Sequence, residues 1–557
     1  MRENLSRRDF IKTASFAGVG LFLLPRISNS FDLIIKNGTV IDGTGSKRYK
    51  ADIGIIDNKI YEIGDLSSAS SDNIIDAKGK IVSPGFIDIH THTDIELLVN
   101  PNAESKIRQG ITLEVSGNCG SSPFPLTPSD KDAKSRHYLE RYGFECSWNN
   151  LSGFYSSLEK SGISLNYASF TGHGDLRAYV VGRHDVPPTA EQLKKMQDVL
   201  AESMEQGSLG LSTGLEYSPG SYAKTDELIA LCKIVAKYNG VYSTHMRNED
   251  DTVEEAVEEA IEICRKSGAS LQISHLKACN KNNWHKVKNI LSKLDKYYDE
   301  GLPVMADRYP YTAYGTGLSA LIPLWARQGD TKEVVNRLKD DSEFDKMLPH
   351  LKSRGERIGG WDRFLISYTV SDNYSSYAGK TISQCCELTG TDAEHTIRQI
   401  LIDNNLSAGM VGFAMDEQNT MDVLAHPLVS IGSDGSVAAP YGPLSEGKPH
   451  PRFYGTFPRV LGYYAREKGI FSLEDAVKKS SYMNAQKLGL NNRGKLAKKH
   501  IADIVIFDEK KIIDKAEFAA PHQYPEGIEF VIVNGTVVVK NGEHTNAHPG
   551  KIVKLKG

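Results

Sequence analysis

His90 and His92 stand two residues apart in GFIDIHTHTD (Gly85–Asp94), where apolar Phe86, Ile87 and Ile89 alternate with Asp88, His90 and His92. Period-two alternation is the pattern of a β-strand, whose i and i+2 side chains share a face. The two imidazoles therefore leave the strand's C-terminal end together and supply half of a metal shell. Four more metal-capable side chains close strand-like runs: Cys119 after GITLEVSGN, His245 after GVYST, His275 after SLQIS and Asp434 after VSIGS. Each alone has a plain structural explanation as a satisfied core histidine, a buried thiol or a capping aspartate. Their recurrence at the same end of five strands is the specific signal. Thiolate and imidazole are good zinc ligands, and a site with an open position lowers the pKa of bound water toward neutrality. A carboxylate such as Asp434 beside that water is a natural general base, able to pass the proton on to a leaving nitrogen.

Side chains so spaced in sequence meet only if their strands lie parallel. GVYSTH leads into a helix with Val253, Ala256, Val257, Ala260, Ile261 and Cys264 at helical spacing. Thr252 and Glu255 have the spacing of a capping box, Gly268 stops the helix, and SLQISH is the next strand. Strand–helix–strand over about thirty residues is the unit of a parallel sheet. Further strand candidates are Gly110–Cys119, Gly207–Thr213, Leu302–Asp307, Phe364–Thr369 and Val429–Asp434, which with the three histidine strands makes eight. The fold expected is a (β/α)8 TIM-like barrel over residues 86–488, with active-site residues at the strands' C-terminal ends. Residues 128–145 and 326–359 are charged insertions, the second a candidate helical lid over the barrel mouth. Short strands with Gly, Asp and Asn turns recur in residues 31–85 and 489–557, as in IIKNGTVID and VIVNGTVVV. Both ends are expected to build one small β-sandwich domain.

The 557 residues suffice for a large barrel and a small domain. A net charge of −4 without a basic block argues against nucleic acid, and seven scattered cysteines without C-x-x-C argue against a disulfide framework. Residues 1–30 carry Ser6-Arg7-Arg8-Asp9-Phe10-Ile11-Lys12 before an apolar run from Ala14 to Leu24. That pattern resembles a twin-arginine signal and implies the twin-arginine export machinery as a partner, with a periplasmic location. An uncleaved signal would leave a membrane anchor.

From about residue 31 to the C-terminus the motifs GFIDIHTHTD, SGNCG, STGLEYSPG, STHMRNE, SHLKA, DRYPYTA, GSDG and HPRFYGTFPRVLG resemble those of the D-aminoacylases, or N-acyl-D-amino-acid deacylases, of the amidohydrolase superfamily. GSLGLSTGLEY lacks the lysine that bridges two metals in many barrel amidohydrolases, and Cys119 matches the family's bridging cysteine. The resemblance implies a tight zinc site of Cys119, His245 and His275 and a weaker second site of His90, His92 and Asp434. It implies that Arg452 binds the substrate's α-carboxylate and that Tyr217, Lys277 and Tyr309 line the pocket. Glu216 is a rival polar ligand, and His173 in TGHGDLR either faces the pocket or caps a turn. The activity implied is zinc-dependent hydrolysis of N-acyl-D-amino acids, a small-molecule substrate class. Competing readings are a dipeptidase-like enzyme releasing a C-terminal D-residue, a cyclic-amide hydrolase of the hydantoinase or dihydroorotase kind, and a non-catalytic binding relative. The loop SVAAPYGPLSEGKP before HPR is longer than expected for the family and should lie near Arg452.

Overall fold

The structure, a computed structural model, describes residues 31–555; the signal segment of residues 1–30 lies outside the described residues. The chain opens with strands β1 (Leu33–Val40), β2 (Tyr49–Ile56), β3 (Lys59–Gly64), β4 (Ile74–Asp76) and β5 (Ile81–Pro84). The barrel follows with β6 (Phe86–Asp88), β7 (Ile111–Ser116), β8 (Asn166–Ser169), β9 (Thr171–Gly172), β10 (Gly210–Gly214), β11 (Val241–His245), β12 (Ser270–Ile273) and β13 (Val304–Arg308). Pairing is parallel from β6 to β8 and again from β9 through β13.

An inserted body follows β13. Its sheet of β14 (Tyr314–Gly317), β15 (Phe364–Thr369) and β16 (Ala408–Gly412) is antiparallel and packs on the helices Thr331–Lys339 and Asp341–Ile358. The expected lid helices thus belong to a larger insertion with its own core. Phe364–Thr369 is a strand, but of this body and not of the barrel. The eighth barrel strand is instead β8–β9, a run interrupted at Phe170. Its signal in sequence is weak because Asn166 is buried without alternation, its amide donating to the Thr112 carbonyl at 2.9 Å.

The barrel closes when β17 (Val429–Ile431) pairs with β13. Between β17 and β6 the seam is held by side chains. Asn484 Nδ2, in the helix Tyr482–Lys487, donates to the carbonyls of Ile87 (2.7 Å) and Ile431 (2.9 Å), while Thr91 and Gly435 form a parallel bridge beyond the strand ends. The helix Val253–Ser267 buries Val253, Ala256, Val257, Ala260, Ile261 and Cys264 against the barrel, about 1.5–3 kcal/mol for each fully covered Val or Ile. Gly268 terminates it at φ 78°. Thr252 is its N-cap, but its hydroxyl makes no cap bond, so the capping box does not form; Asn248 Oδ1 accepts the Thr252 amide at 2.8 Å instead.

The chain then returns to its start. Strands β18 (Ile504–Phe507), β19 (Ile528–Val533), β20 (Thr536–Lys540) and β21 (Glu543–His544) join β5 through β18, giving one nine-stranded sheet of order β21-β20-β19-β18-β5-β1-β2-β3, with β4 beside β1. The two termini therefore share a single hydrogen-bonded sheet rather than two separately paired ones. Ile53, Ile504 and Ile506 pack on one face, and Val505, Phe507 and Val531 on the other.

Candidate functional site

Cys119, His275 and Asp434 lie two or three residues beyond the ends of β7, β12 and β17, and all three have left-handed backbone, at φ 49°, 37° and 53°. Such conformations cost on the order of 1–3 kcal/mol each and turn a side chain off its strand's line. His245 ends β11, and His90 and His92 follow β6.

Together these residues close one cluster. Cys119 Sγ lies 3.3 Å from His90 Nε2 and 3.4 Å from His275 Nε2, and His275 Nε2 lies 3.0 Å from His245 Nδ1. Asp434 Oδ1 lies 3.3 Å from His90 Nε2 and 3.0 Å from His92 Nε2. The period-two reading of GFIDIHTHTD thus delivers both imidazoles to one carboxylate. All six sequence-derived candidates meet, with Cys119 between the His245–His275 pair and the His90–His92–Asp434 group.

This donor set fits zinc. A tetrahedral shell with metal–nitrogen near 2.0 Å and metal–sulfur near 2.3 Å has donor edges of roughly 3.3–3.6 Å. The separations here are close to that range. Burial opposes ionisation of the Cys119 thiol, but the charges on His90 and His275 hold it well below the usual thiol range. Burial likewise opposes charge on His245, yet Glu249, Cys119 and Glu216 raise it to about 10. Thiolate and neutral imidazole are the forms that hold zinc, so binding there would be coupled to proton release.

Neighbours that the sequence did not single out fix the ligands' orientation. Asp307, at the end of β13, places Oδ1 3.1 Å from His90 Nδ1 and accepts the His275 amide at 2.8 Å; its Oδ2 accepts Gln272 Nε2 at 2.9 Å. Glu249 places a carboxylate oxygen 2.9 Å from His275 Nδ1. Carboxylates behind imidazole ligands set ring orientation and basicity. Asp307 was visible as a strand-end acid, and Glu249 as the acid four residues after His245. Lys106 had no such signal. It is fully buried, and its ammonium contacts Asp88 (3.1 Å), Glu114 (3.0 Å), Ser433 Oγ (2.9 Å) and the Gly435 carbonyl (3.2 Å), on both sides of Asp434.

Above the cluster lies a cavity of about 680 Å³, lined by His92, Cys119, His245, His275 and Asp434 among others. Arg452, the first residue of the helix Arg452–Arg459, places Nη1 2.8 Å from Asp434 Oδ2 and donates from Nη2 to the Gly315 carbonyl at 3.2 Å. Burial works against the Asp434 carboxylate, and Arg452, His275 and His90 overcome it, holding the group well below the ordinary range. Tyr309 is fully buried beneath Arg452, ring to guanidinium 4.7 Å, and its hydroxyl has no partner among the described residues. Tyr217 packs its ring, tilted by 54°, against His245 at 4.8 Å between centroids and bonds Thr316 Oγ1 at 3.1 Å. Lys277 also lines the cavity, but its ammonium is engaged by Glu249 at 2.6 Å and the His275 carbonyl at 3.2 Å. Glu216 stands 3.6 Å from His245 Nε2 and accepts the Glu249 amide. His173 is buried against Glu227 at 3.0 Å and does not line the cavity. The long loop after Asp434 supplies wall from Ser436 to Pro449, next to Arg452 as its position in sequence required.

The model of the amidohydrolase family matches residues 73–308 and 340–539. The N-acyl-D-glutamate deacylase of Alcaligenes xylosoxydans xylosoxydans is 34% identical over 528 residues, covering 95% of this chain and 97% of that protein. The D-aminoacylase of the same organism is 33% identical over 538 residues, covering 94% and 98%. Among solved structures, the N-acyl-D-glutamate deacylase of Bordetella bronchiseptica, complexed with zinc and a phosphonate inhibitor that mimics the tetrahedral intermediate, superposes with a TM-score of 0.80 at 32% identity, covering 94% of this chain and all of that one.

Proposed function

The chain belongs to the amidohydrolase family, in its D-aminoacylase branch, and from that premise we propose that it hydrolyses the amide bond of N-acyl-D-amino acids to a carboxylate and a free D-amino acid, with zinc. The observation that carries the reading is the meeting of His90, His92, Cys119, His245, His275 and Asp434 beneath a cavity whose wall holds Arg452. Cys119, His245 and His275 would hold the tight zinc, with His90, His92 and Asp434 as the weaker second site. Bound there, zinc supplies Lewis acidity toward the amide carbonyl and toward the attacking water.

The chain's own groups do the rest. Arg452 offers a planar guanidinium for a bidentate contact with the α-carboxylate, and the unpartnered Tyr309 hydroxyl stands ready to add a hydrogen bond. Seating a carboxylate on Arg452 competes with its contact to Asp434, which loosens Asp434 for proton work. Asp434 Oδ1, beside both His90 and His92, takes the proton of the attacking water and delivers it to the leaving nitrogen. Tyr217 and the loop Ser436–Pro449 wall the reacting bond from bulk water. A hydantoin ring has no free carboxylate for Arg452 to hold, which favours a linear N-acyl amino acid over that cyclic class.

The test is hydrolysis of paired N-acetyl-D- and N-acetyl-L-amino acids by the zinc-loaded enzyme and by Asp434→Asn. Cleavage of the D-substrates is expected, falling about 10²–10⁴-fold in Asp434→Asn while the tight-site zinc stays bound. Turnover that survives Asp434→Asn refutes the assigned base, and cleavage of L-substrates alone refutes the substrate class. We propose further that the Arg7-Arg8 segment sends the protein through the twin-arginine machinery to the periplasm. Cytoplasmic retention on replacing both arginines with lysine, seen by cell fractionation, is the expected result.

A further inference from the structure

The helix Asp341–Ile358 buries Phe344, Met347 and Leu351 in the inserted body and turns His350, Arg354 and Arg357 along another stripe. Arg357 Nη1 pairs with Asp251 Oδ2 at 2.8 Å and lies 3.4 Å from Asp250 Oδ2. Arg354 lines the catalytic cavity, as do Tyr314, Leu321 and Met410. Among the described residues its one ion pair, with Asp250 Oδ2, is long at 3.4 Å, and its Nε is buried without a partner.

The acids around it are otherwise engaged. Asp250 Oδ1 accepts from Asn248 Nδ2 at 2.7 Å and from the Asp251 amide at 2.6 Å. Glu249 is held by Lys277, and Glu216 by the Glu249 amide and His245. Nearby Arg327 spends its donors on the carbonyls of Ile322 (2.9 Å) and Glu216 (3.0 Å). Burial first, then the charge of Arg354, draws the Arg327 pKa down to about 10, so the two guanidiniums lie close enough to repel each other. Arg354 is thus a guanidinium with donors to spare, borne on the insertion and facing a cavity that is also lined by Arg183, by Arg141, which pairs with Glu446, and by Arg452, which lies beside Asp434.

We propose that Arg354 determines specificity by taking the side-chain carboxylate of an acidic D-residue, while Arg452 holds the α-carboxylate. The proposal rests on the N-acyl-D-amino-acid reading and names the side chain that reading leaves open. Leu321 and Met410 would cover the methylenes between the two carboxylates.

The experiment measures kcat and KM of the zinc-loaded enzyme on N-acetyl-D-glutamate, N-acetyl-D-aspartate and N-acetyl-D-methionine, for wild type, Arg354→Met and Arg354→Lys. Wild type is expected to prefer an acidic substrate. In Arg354→Met the acidic-to-methionine ratio of kcat/KM should fall on the order of 10- to 100-fold, mostly through KM, as for loss of a charged hydrogen bond. Arg354→Lys should recover part of it. A wild-type preference for methionine overturns the proposal, as does a ratio that Arg354→Met leaves unchanged, the signature of a merely structural arginine. In both cases D-methionine cleavage leaves the activity itself standing. If no N-acyl-D-amino acid is cleaved, the activity falls and this assignment with it.

Discussion

Replacing Lys106 with methionine isolates the device that holds Asp434. The ammonium is fully buried with two carboxylates, Asp88 and Glu114, and two contacts to the residues on either side of Asp434. Breaking a buried ion pair by removing one partner costs about 3–5 kcal/mol. In a chain this long each kcal/mol moves Tm by about 2 °C or less, so thermal unfolding should fall by several degrees. The loss should grow with pH. Burial pushes Glu114 up to about 7 even with Lys106 opposing it, so without the lysine its carboxyl stays well above the unfolded value. A raised carboxyl binds its proton more tightly folded than unfolded, so stability drops as pH rises from the unfolded pKa through the folded one. The variant's deficit should therefore be larger at pH 8 than at pH 5.5, and Lys106→Met/Glu114→Gln should recover part of it. Freed of Lys106, Ser433 and Gly435 no longer fix Asp434, and misplacement by about 1 Å costs on the order of 100-fold in rate. The assays are differential scanning calorimetry across pH, zinc content, and kcat on the preferred N-acetyl-D-substrate. A pH-independent deficit, or unaltered kcat, refutes the reasoning.

Cys119→Ser should strip the cluster of its thiolate, and dialysed enzyme should lose zinc, by elemental analysis, together with activity. Asp307→Ala removes the carboxylate behind His90 and the acceptor of the His275 amide; a 10–100-fold loss in metal affinity is expected, read by chelator competition. Asn484→Ala leaves the Ile87 and Ile431 carbonyls without this donor at the barrel seam, outside the lining of the cavity. It should cost about 1–3 kcal/mol in denaturant unfolding and little in KM.

The donor cluster was legible because each ligand lies at a strand's C-terminal end or within a few residues beyond it, and strand ends converge in a parallel barrel. Seven of the eight barrel strands were readable from alternation and turn residues. The exception, Asn166–Gly172, is buried through polar side chains that bond neighbouring strands, so it lacks the hydrophobic pattern. Phe364–Thr369 is a strand but pairs antiparallel inside the insertion, and a strand-like run alone carries no direction of pairing. Lys106 and Arg354 were illegible for a related reason. A lysine in ESKIRQG and an arginine in LKSRGER look like solvated charges until the fold buries one and turns the other toward the cavity.

The left-handed backbone at Cys119, His275 and Asp434 shows how the cluster's cost is met before metal arrives. At on the order of 1–3 kcal/mol each, these residues hold strain that is sizeable beside the net stability of a typical domain. Each is pinned by its surroundings. The Asp434 amide donates to the His90 carbonyl at 2.8 Å, and the His275 amide to Asp307 at 2.8 Å. Beyond Cys119, the Gly120 amide bonds Ser212 Oγ at 3.1 Å, and a Cβ at Gly120 would lie 2.7 Å from the Gly214 nitrogen. The barrel thus presents the donors already turned inward, so zinc binding need not supply the energy of bending three strand ends. It follows that the fold should persist without zinc while activity does not. Chelated protein should keep its far-ultraviolet circular dichroism and regain turnover on zinc addition without a slow refolding phase. Collapse of secondary structure on chelation would show instead that the metal, and not the barrel, holds the strand ends.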